Sequence, residues 1–361
     1  MRIGFFSPTI NRIGGGEWVT LNMIHALKTK KHKIIVYSAE KINHAHIKEF
    51  FGCDLKFDEE VIIRPNIFDP YSLENIYSNL LKSCIFRFKC DFLIDTFSNA
   101  IFPWVDAVYF QGRPKITQLP NGLKGTLFFP YKTFLINSIK YAKNKEKILM
   151  ACSNNVARTV EAATGLPVNV LYPPISDFFK IDDKKLSKNN LVVTVTRISN
   201  DKRPETIPKI AKLTTSNIKF IIIGNCRTSA ELNTLKILQR VIHSLNLKEK
   251  VKLIINTSKE KQHEILQKSK VYLHPFVPYE AFGISVVEAM FAGCIPIVPD
   301  IAGLKEIVPK QFRYTSLEEA AALIDDSINN WTSSNTQEIV KIADKFNQEK
   351  FYQEFLRITK L

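Results

Sequence analysis

The segment Glu280-Ala-Phe-Gly-Ile-Ser-Val-Val-Glu288 holds two carboxylates eight residues apart, with an aromatic–glycine pair shortly after the first. A strand-like run, Val271-Tyr-Leu-His-Pro, precedes it, and a helix-like run, Ser285-Val-Val-Glu-Ala-Met-Phe-Ala, begins inside it. Glu280 is therefore predicted to lie in a loop, and Glu288 about one turn inside a helix. Because a helix turns once in about 3.6 residues, a short loop plus one turn brings both carboxylates to one pocket.

The start of this predicted helix also offers backbone donors. N–H groups at a helix N-terminus lack intrahelical partners, and they bind anions and hydroxyl oxygens readily. Here those groups belong to Phe282, Gly283 and Ile284. Carboxylates that accept from several hydroxyls, beside donors that suit phosphate, are consistent with a site for a sugar joined to a nucleotide. The alternative is a solvated helix that carries two unrelated acids.

Short β-branched runs alternate with helical patterns along the chain, which is typical of doubly wound α/β domains. Predicted strands are Arg2–Phe6, Lys33–Tyr37, Val61–Ile63, Asp91–Ile94, Ala107–Phe110, Lys147–Ala151, Asn169–Leu171, Leu191–Thr196, Lys219–Ile223, Lys252–Ile255, Val271–His274 and Ile295–Val298. Predicted helices lie near 16–29, 72–86, 131–146, 154–163, 203–213, 229–245, 258–268, 284–292, 316–330, 334–346 and 348–358. The pattern breaks at Tyr172-Pro-Pro-Ile-Ser-Asp, and the segment Asp182–Asn190 is polar and charged. We therefore predict domains at residues 1–172 and 173–345, with a C-terminal helix at 346–361.

The chain length and composition agree with this division. A length of 361 residues is too long for one ordinary core. No run of about eighteen uncharged apolar residues occurs, so no transmembrane helix is predicted. Met1–Pro8 has the pattern of a buried strand and lacks the apolar region and cleavage site of a signal peptide. The six cysteines are scattered without a C-x-x-C pair, which favours a reduced cytosolic compartment and indicates no zinc site.

The net charge of +15 limits the classes of partner to nucleic acid, an anionic membrane surface or a phosphorylated substrate. Between Gln111 and Val160, nine Lys and Arg stand against one acid, and aromatic and aliphatic residues recur at helical spacing. This pattern is typical of a helix on an anionic membrane surface. An ordinary domain helix with a lysine-rich solvent face fits equally well, and both interpretations stay open. No recognised nucleic-acid motif accompanies the charge, so nucleic acid is not predicted.

A glycine-rich loop follows the first predicted strand. Gly14, Gly15 and Gly16 precede Glu17 at the start of a helix, and glycine permits close backbone approach. A helix N-terminus at this position favours an anion or a sugar hydroxyl. The spacing differs from G-x-G-x-x-G, so a dinucleotide cofactor is not predicted. A flexible turn between strand and helix is the alternative.

Two cations, Arg197 and Lys202, follow the first strand of the second predicted domain. Fixed cations stabilise negative charge on a phosphate ligand, and they do so without a metal. A charged surface turn is the alternative. Gly224 ends the next buried strand at its carboxyl edge, where ligands of open α/β sheets collect.

The full pattern His-Pro-x4-Glu-Ala-Phe-Gly-x4-Glu-Ala-x3-Gly-x2-Pro-x-Val, which begins at His274, resembles the Glu-x7-Glu segment of retaining glycosyltransferases of family 4. The Gly14–Glu17 loop is similar to the Gly-Gly-x-Glu loop of that family, and Arg197 and Lys202 match its diphosphate-binding cations. The resemblance implies the GT-B fold, with two Rossmann-like doubly wound domains facing a cleft. It also implies that the C-terminal helix crosses back to the first domain.

The same resemblance implies roles for individual residues. Glu280 contacts the donor sugar, Glu288 the nucleotide ribose, and Asn256 lies where the family contacts the base through the backbone. The implied donor-binding set is Gly15, Gly16, Arg197, Lys202, Gly224, Asn256, Glu280, Phe282, Gly283, Ile284 and Glu288. Within that set, Glu280, Arg197 and Lys202 are predicted to be catalytic.

One position departs from the family pattern. Many relatives carry a histidine near residue 110, close to the acceptor, whereas this chain has Gln111, which cannot act as a base. Glu17, Gln111 and Arg113 are predicted to line the acceptor side, with Arg113 available to an acceptor phosphate. His274 is interpreted as structural. Retaining members are thought to react on one face of the sugar, so that a donor phosphate oxygen takes the acceptor proton.

These observations predict a metal-independent, retaining hexosyltransferase without a cofactor. Its donor is a UDP- or GDP-linked sugar, and its acceptor is a hydroxyl of a glycan, with the basic segment favouring a lipid-linked acceptor at the cytoplasmic face of a membrane. Two alternatives stay open: a GT-B epimerase or phosphorylase, and a non-catalytic relative that binds sugar nucleotides or membranes. A pyridoxal-dependent phosphorylase lacks support because no Schiff-base lysine is evident. The sequence names neither the sugar nor the base.

Overall fold

The computed structural model describes residues 1–12, 14–52, 54–64, 75–120, 122–181, 188–215 and 217–361, without the side chains of residues 123 and 124. The chain divides into two compact units, Met1–Pro174 with Gln348–Leu361, and Ile175–Asn347. Residues 72–74, at the start of the helix predicted near 72–86, lie outside the described residues. Cys53 and residues 182–187 of the predicted polar segment also lie outside them. Among the described residues, no helix has the length and apolar character needed to cross a membrane.

The first unit alternates strands and helices. Its elements are β1 (Arg2–Phe6), α1 (Gly15–Thr29), β2 (Lys33–Tyr37), α2 (His44–Phe51), β3 (Glu59–Val61), α3 (Ile76–Arg87), β4 (Phe92–Asp95), β5 (Ala107–Phe110), α4 (Gly122–Ala142), β6 (Ile148–Ala151), α5 (Asn154–Thr164) and β7 (Asn169–Val170). The strands form one parallel sheet in the order β3-β2-β1-β4-β5-β6-β7. Its central strands are nearly continuous apolar runs because helices cover both faces of such a sheet.

The second unit repeats this architecture. Its elements are β8 (Asn189–Arg197), α6 (Thr206–Leu213), β9 (Lys219–Asn225), α7 (Ser229–Ser244), β10 (Val251–Ile255), α8 (Lys259–Lys268), β11 (Ser269–Leu273), α9 (Ile284–Phe291), β12 (Ile295–Pro299), α10 (Leu304–Ile307), β13 (Arg313–Tyr314), α11 (Leu317–Asn329) and α12 (Ser333–Ala343). The parallel sheet has the order β10-β9-β8-β11-β12-β13. Local signals set the helix ends: Thr228 and Glu231 form a capping box at the start of α7.

The last helix, α13 (Gln348–Thr359), belongs to the first unit and packs against α1. Gln348 Nε2 and Tyr352 Oη donate to Asn22 Oδ1 at 2.7 and 2.8 Å. Phe351 and Phe355 are buried on the inner face of α13. The chain therefore returns to its first unit after completing the second, as the GT-B resemblance implies.

Two predicted elements are clearly displaced in the structure. The helix predicted at 131–146 begins instead at Gly122, ends at Ala142 and contains Pro130. A proline inside a helix costs about 3 kcal/mol in isolation, so the sequence favoured a start after it. In the structure the helix includes the turns before Pro130, where the Leu127 carbonyl accepts from Tyr77 Oη. The strand predicted at Val61–Ile63 lies at Glu59–Val61, paired with β2. Helix α2 was not predicted.

Candidate donor site

The strand order of the second unit creates the site. The chain adds β9 and β10 on one side of β8 and then adds β11, β12 and β13 on the other side. The strand order therefore changes direction between the neighbouring strands β8 and β11. In open α/β sheets, ligands bind at such a switch point, beyond the carboxyl ends of the strands. The loop after β8 carries Lys202 in a short 3-10 turn, and the loop after β11 carries His274 and Glu280.

A buried ion pair joins these two loops. Lys202 Nζ lies 2.5 Å from Glu280 Oε2, and the two side chains are only 24% and 13% exposed. His274 Nε2 lies 3.6 Å from the same oxygen. Burial favours the neutral carboxyl, but the His274 ring and the Lys202 ammonium together outweigh burial and lower the pKa of Glu280 to about 2. The predicted sugar-binding carboxylate is therefore fully ionised at neutral pH.

His274, which was interpreted as structural from the sequence, lies beside Glu280 in the structure. Its side chain is buried, and among the described residues neither ring nitrogen has a hydrogen-bond partner. The backbone carbonyl of His274 accepts from Tyr314 Oη at 2.7 Å, which fixes the strand end. A histidine directly after a strand, at the edge where ligands collect, was the signal that could have identified it.

Glu288 has the opposite electrostatic setting. It lies in the second turn of α9, and burial of its carboxyl group raises its pKa to about 7, while the positive charge of Lys259 acts against that rise. Tyr272 lies near both glutamates, because burial together with the charges of Glu280 and Glu288 raises the pKa of its phenol. The Tyr272 hydroxyl forms a hydrogen bond with Ser285 Oγ at 2.9 Å. The two glutamates of the opening segment thus share one neighbourhood. Lys259, at the start of α8, carried no sequence signal.

Arg197 occupies the carboxyl end of β8, beside the turn that holds Lys202. Its side chain is 59% exposed, and Nη2 lies 3.2 Å from Asp201 Oδ2. An exposed ion pair of this kind contributes little to stability. The guanidinium can therefore move to a phosphate at small cost.

The loop between Glu280 and α9 turns at Gly283. Gly283 adopts a φ of +101° at the start of α9, a conformation that residues with a Cβ rarely adopt. Phe282 is buried and packs edge-on against Phe346, with ring centroids 5.3 Å apart. Ile284 is the first residue of the helix, so the predicted amides do lie at a helix N-terminus.

A second loop supports the backbone of Glu280. The N–H of Gly303 donates to the Glu280 carbonyl at 3.1 Å. A Cβ at position 303 would lie 2.0 Å from the carbonyl oxygen of Ala281. The loop that contains Gly303 therefore positions the segment 280–281 through its backbone.

Gly224 and Asn256 lie at the ends of the neighbouring strands β9 and β10. The Asn256 N–H donates to the Gly224 carbonyl at 2.9 Å. The Asn256 side chain accepts from Cys226 N at 2.9 Å and donates to Cys226 O at 3.0 Å. The side chain of Asn256 thus joins the ends of the two strands. The backbone of Asn256 lies at the carboxyl edge of the sheet.

In the first unit, the glycine loop is shaped by Glu17. Glu17 Oε2 accepts from Gly14 N at 3.0 Å, and Oε1 accepts from Thr9 Oγ1 at 2.6 Å. The Glu17 residue is only 7% exposed. Its carboxylate therefore caps the start of α1, with Gly15 and Gly16 in the first turn.

The predicted acceptor residue Gln111 packs on this loop. A Cβ at Gly16 would lie 2.0 Å from Gln111 Oε1, so only glycine permits the contact. Gln111 Nε2 donates to Thr96 O at 2.5 Å, and Gln111 N donates to Asn99 Oδ1 at 2.8 Å. Arg113 is exposed two residues further on. Thr96 and Asn99 were not predicted, because nothing in their local sequence marks them.

The two Rossmann-like units, with the return of α13, define the GT-B fold. The structure of Anabaena Alr3699/HepE in complex with UDP and glucose has the same fold, with a TM-score of 0.74 at 16% identity over 100% of both chains. Residues 177–347, almost the whole of the second unit, match the family described as Glycosyl transferases group 1. The resemblance predicted from the Glu280–Glu288 segment is confirmed for the GT-B fold and for the match to Glycosyl transferases group 1.

Characterised relatives cover part of this chain. A GDP-Man:Man(3)GlcNAc(2)-PP-Dol alpha-1,2-mannosyltransferase of Candida albicans is 31% identical over 83% of the chain, which covers 60% of that relative. The phosphatidylinositol N-acetylglucosaminyltransferase GPI3 subunit of Saccharomyces cerevisiae (strain YJM789) is 23% identical over 49% of the chain and 41% of the relative. The chain thus spans about half the length of these relatives.

Proposed function

We propose that this protein is a glycosyltransferase that moves a hexose from a nucleotide-sugar donor to a hydroxyl group of a glycan, with retention of anomeric configuration and without a metal. The observation that carries the proposal is the ion pair between Lys202 and Glu280, at the switch point of a Glycosyl transferases group 1 unit. A cation and an ionised carboxylate at this edge suit the two halves of a nucleotide sugar, its diphosphate and its hydroxyls.

Binding of the donor changes the partners of both charges. The Lys202 ammonium and the Arg197 guanidinium take phosphate oxygens, which releases Glu280 to accept from sugar hydroxyls. Glu288 takes the ribose hydroxyls, and the amides of residues 282–284 lie beside sugar and phosphate. The 3.6 Å contact from His274 Nε2 remains beside Glu280 when Lys202 leaves, and it keeps the carboxylate in place.

In the chemical step, the bond between the anomeric carbon and the diphosphate oxygen breaks. A bond from the same carbon to the acceptor oxygen forms on the same face, and the acceptor proton passes to the departing phosphate oxygen. Lys202 and Arg197 stabilise the charge on the leaving diphosphate, where fixed cations contribute most. Gln111 and Arg113 of the first unit are proposed to contact the acceptor.

The relatives suggest the substrates to test first. The name of the Candida albicans relative combines a GDP-mannose donor with a dolichol-diphosphate-linked acceptor, and the name of the yeast relative includes phosphatidylinositol. We therefore propose a lipid-linked acceptor and a location at the cytoplasmic face of a membrane. The base is decided by a thermal-shift comparison of GDP-, UDP- and ADP-sugars, because a ligand that binds only the folded state raises the apparent stability.

A transfer assay with the donor selected in this way tests the function. Glu280→Gln is expected to lower transfer at least about a hundredfold, since an interaction aimed at the reacting sugar is lost. The matched control is Glu264→Gln, which removes a carboxylate that Lys261 and Lys268 also hold at a pKa of about 2, but on the surface of α8. Transfer that survives Glu280→Gln unchanged would exclude the assigned site. Donor turnover without acceptor, or epimerised donor as product, would favour the other enzyme classes.

A further inference from the structure

Helix α3 exposes a stripe of large apolar side chains. Tyr77, Leu81, Ile85 and Phe88 are all exposed, and Leu81 and Phe88 reach 62% and 84%. Their spacing of four, four and three residues puts them on one helix face. The opposite face of α3 is buried against the sheet. A helix at the surface of a water-soluble domain normally turns its polar face outwards, so this apolar stripe indicates a contact surface.

The neighbouring helix α4 extends the stripe. Tyr77 Oη donates to the carbonyl of Leu127 at 2.8 Å, and the rings of Tyr77 and Tyr131 meet at 5.7 Å. Leu127 and Phe129 are 73% and 67% exposed. We call the exposed apolar residues of α3, together with Leu127 beside Tyr77, the α3–α4 surface; it comprises Tyr77, Leu81, Ile85, Phe88 and Leu127.

The sequence of these two helices is strongly basic. Residues 75–90 and 122–147 contain nine Lys and Arg against the single acid Glu146, a net of +8. Lys132, Lys140, Lys143 and Lys145 are exposed. Helices that expose both large apolar side chains and lysines match a lipid leaflet that has an acyl interior and anionic headgroups. A second copy of the chain fits poorly, because self-association would bring two lysine-rich helices together.

We propose that the α3–α4 surface docks on an anionic lipid leaflet. The apolar side chains enter the boundary between headgroups and acyl chains, and the lysines contact lipid phosphates. The α3–α4 surface would be the contact surface for the membrane location proposed above, so its biological role rests on the proposed function. The binding itself requires neither donor nor acceptor.

Vesicle binding by the full chain tests the proposal. Co-sedimentation is measured with phosphatidylcholine vesicles that do or do not contain phosphatidylglycerol, at low and high salt. Binding is expected only with phosphatidylglycerol, and it weakens with salt because the lysines are exposed to screening. Leu81→Ser combined with Phe88→Ser is expected to weaken binding at least about tenfold, since two large apolar side chains no longer enter the bilayer.

The second unit supplies a matched control. Leu232 and Ile237 on α7 are each 49% exposed, and Leu232→Ser with Ile237→Ser should leave vesicle binding unchanged. Equal loss in both double variants, or equal binding by the α3 variant and the unchanged chain, overturns the proposal. A dimer in light scattering that depends on Leu81 and Phe88 also overturns it.

Failure of this proposal can be separated from failure of the proposed function. Transfer to a detergent-solubilised acceptor without vesicle binding removes the surface and keeps the enzyme. Vesicle binding that depends on Leu81 and Phe88, in a chain that transfers no sugar, keeps the surface and removes the enzyme.

Discussion

Glu280 and Glu288 occupy the two ends of one nine-residue segment, yet their surroundings move their pKa values in opposite directions. Glu280 lies in a loop where Lys202 and His274 outweigh burial and lower its pKa to about 2. Glu288 lies inside α9, where burial dominates over the charge of Lys259 and raises its pKa to about 7. Two identical residues in one motif thus differ in ionisation. Glu280 is an anion at neutral pH, whereas Glu288 loses its proton near neutral pH.

The largest expected effect comes from removing the cation at Glu280. Lys202→Met is expected to lower kcat by about 10²–10³, the usual cost of deleting one group that stabilises a transition-state charge. Steady-state transfer kinetics measure this. Lys212→Met, on the exposed face of α6, is the control and should leave kcat unchanged. A variant within threefold of the unchanged protein would mean that the diphosphate is held elsewhere.

The loop that supports Glu280 should be the next most sensitive. Gly303→Ala puts a Cβ 2.0 Å from a backbone oxygen, which forces the segment 280–281 to move. We expect a loss of about 1–3 kcal/mol in stability, typical of overpacking, together with weaker transfer. Gly112→Ala is the control for stability, because a Cβ there meets nothing within 4 Å. Equal melting temperatures of the two variants would show that the backbone at 280–281 can move away from a Cβ at position 303 without loss of stability.

Replacement of His274 separates positioning from binding. His274→Phe keeps the ring volume but removes the nitrogen beside Glu280, and we expect kcat to fall about tenfold while KM for the donor changes little. His274→Gln restores a polar donor and should recover part of the loss. If both variants lose only stability and keep kcat, the histidine is structural, as the sequence analysis interpreted it.

The smallest effect is a pH dependence that differs between the two glutamates. The pKa of Glu288 is higher in the folded state, so the stability from its protonated form is complete below pH about 4.3 and declines as pH rises towards 7. We expect a decline on the order of 1 kcal/mol, because this residue is partly exposed. The pKa of Glu280 is lower in the folded state, so its contribution is present above pH about 4.3 and is lost as pH falls towards 2.

Denaturant titrations of Glu288→Gln and Glu280→Gln between pH 3 and 8 check these signs. Relative to the unchanged chain, Glu288→Gln should gain stability as pH rises from about 4.3 to 7. The stability of Glu280→Gln should differ least from that of the unchanged chain at the acid end of the range. The same sign for both variants would contradict the comparison of the two carboxylates.

Local sequence patterns were sufficient for much of the fold. The bounds of β1, β2 and β5 agree with the prediction to the residue, because each is a short apolar run between turn signals. Helix α4 was placed nine residues late because Pro130 has a strong local penalty that packing of the whole unit overrides. The site was predicted as a set of residues, but His274 was interpreted as structural and Lys259 was not identified.

The sequence by itself determined the alternating α/β pattern, the family, and the two carboxylates at a loop–helix junction. These depend on residues close together in the chain. Only the tertiary structure decided that Lys202 meets Glu280 across a separation of 78 residues, because the strand order places β8 beside β11. It also decided the direction of each pKa shift and the outward apolar face of α3. Burial and charge–charge distances depend on long-range packing, which no local pattern encodes.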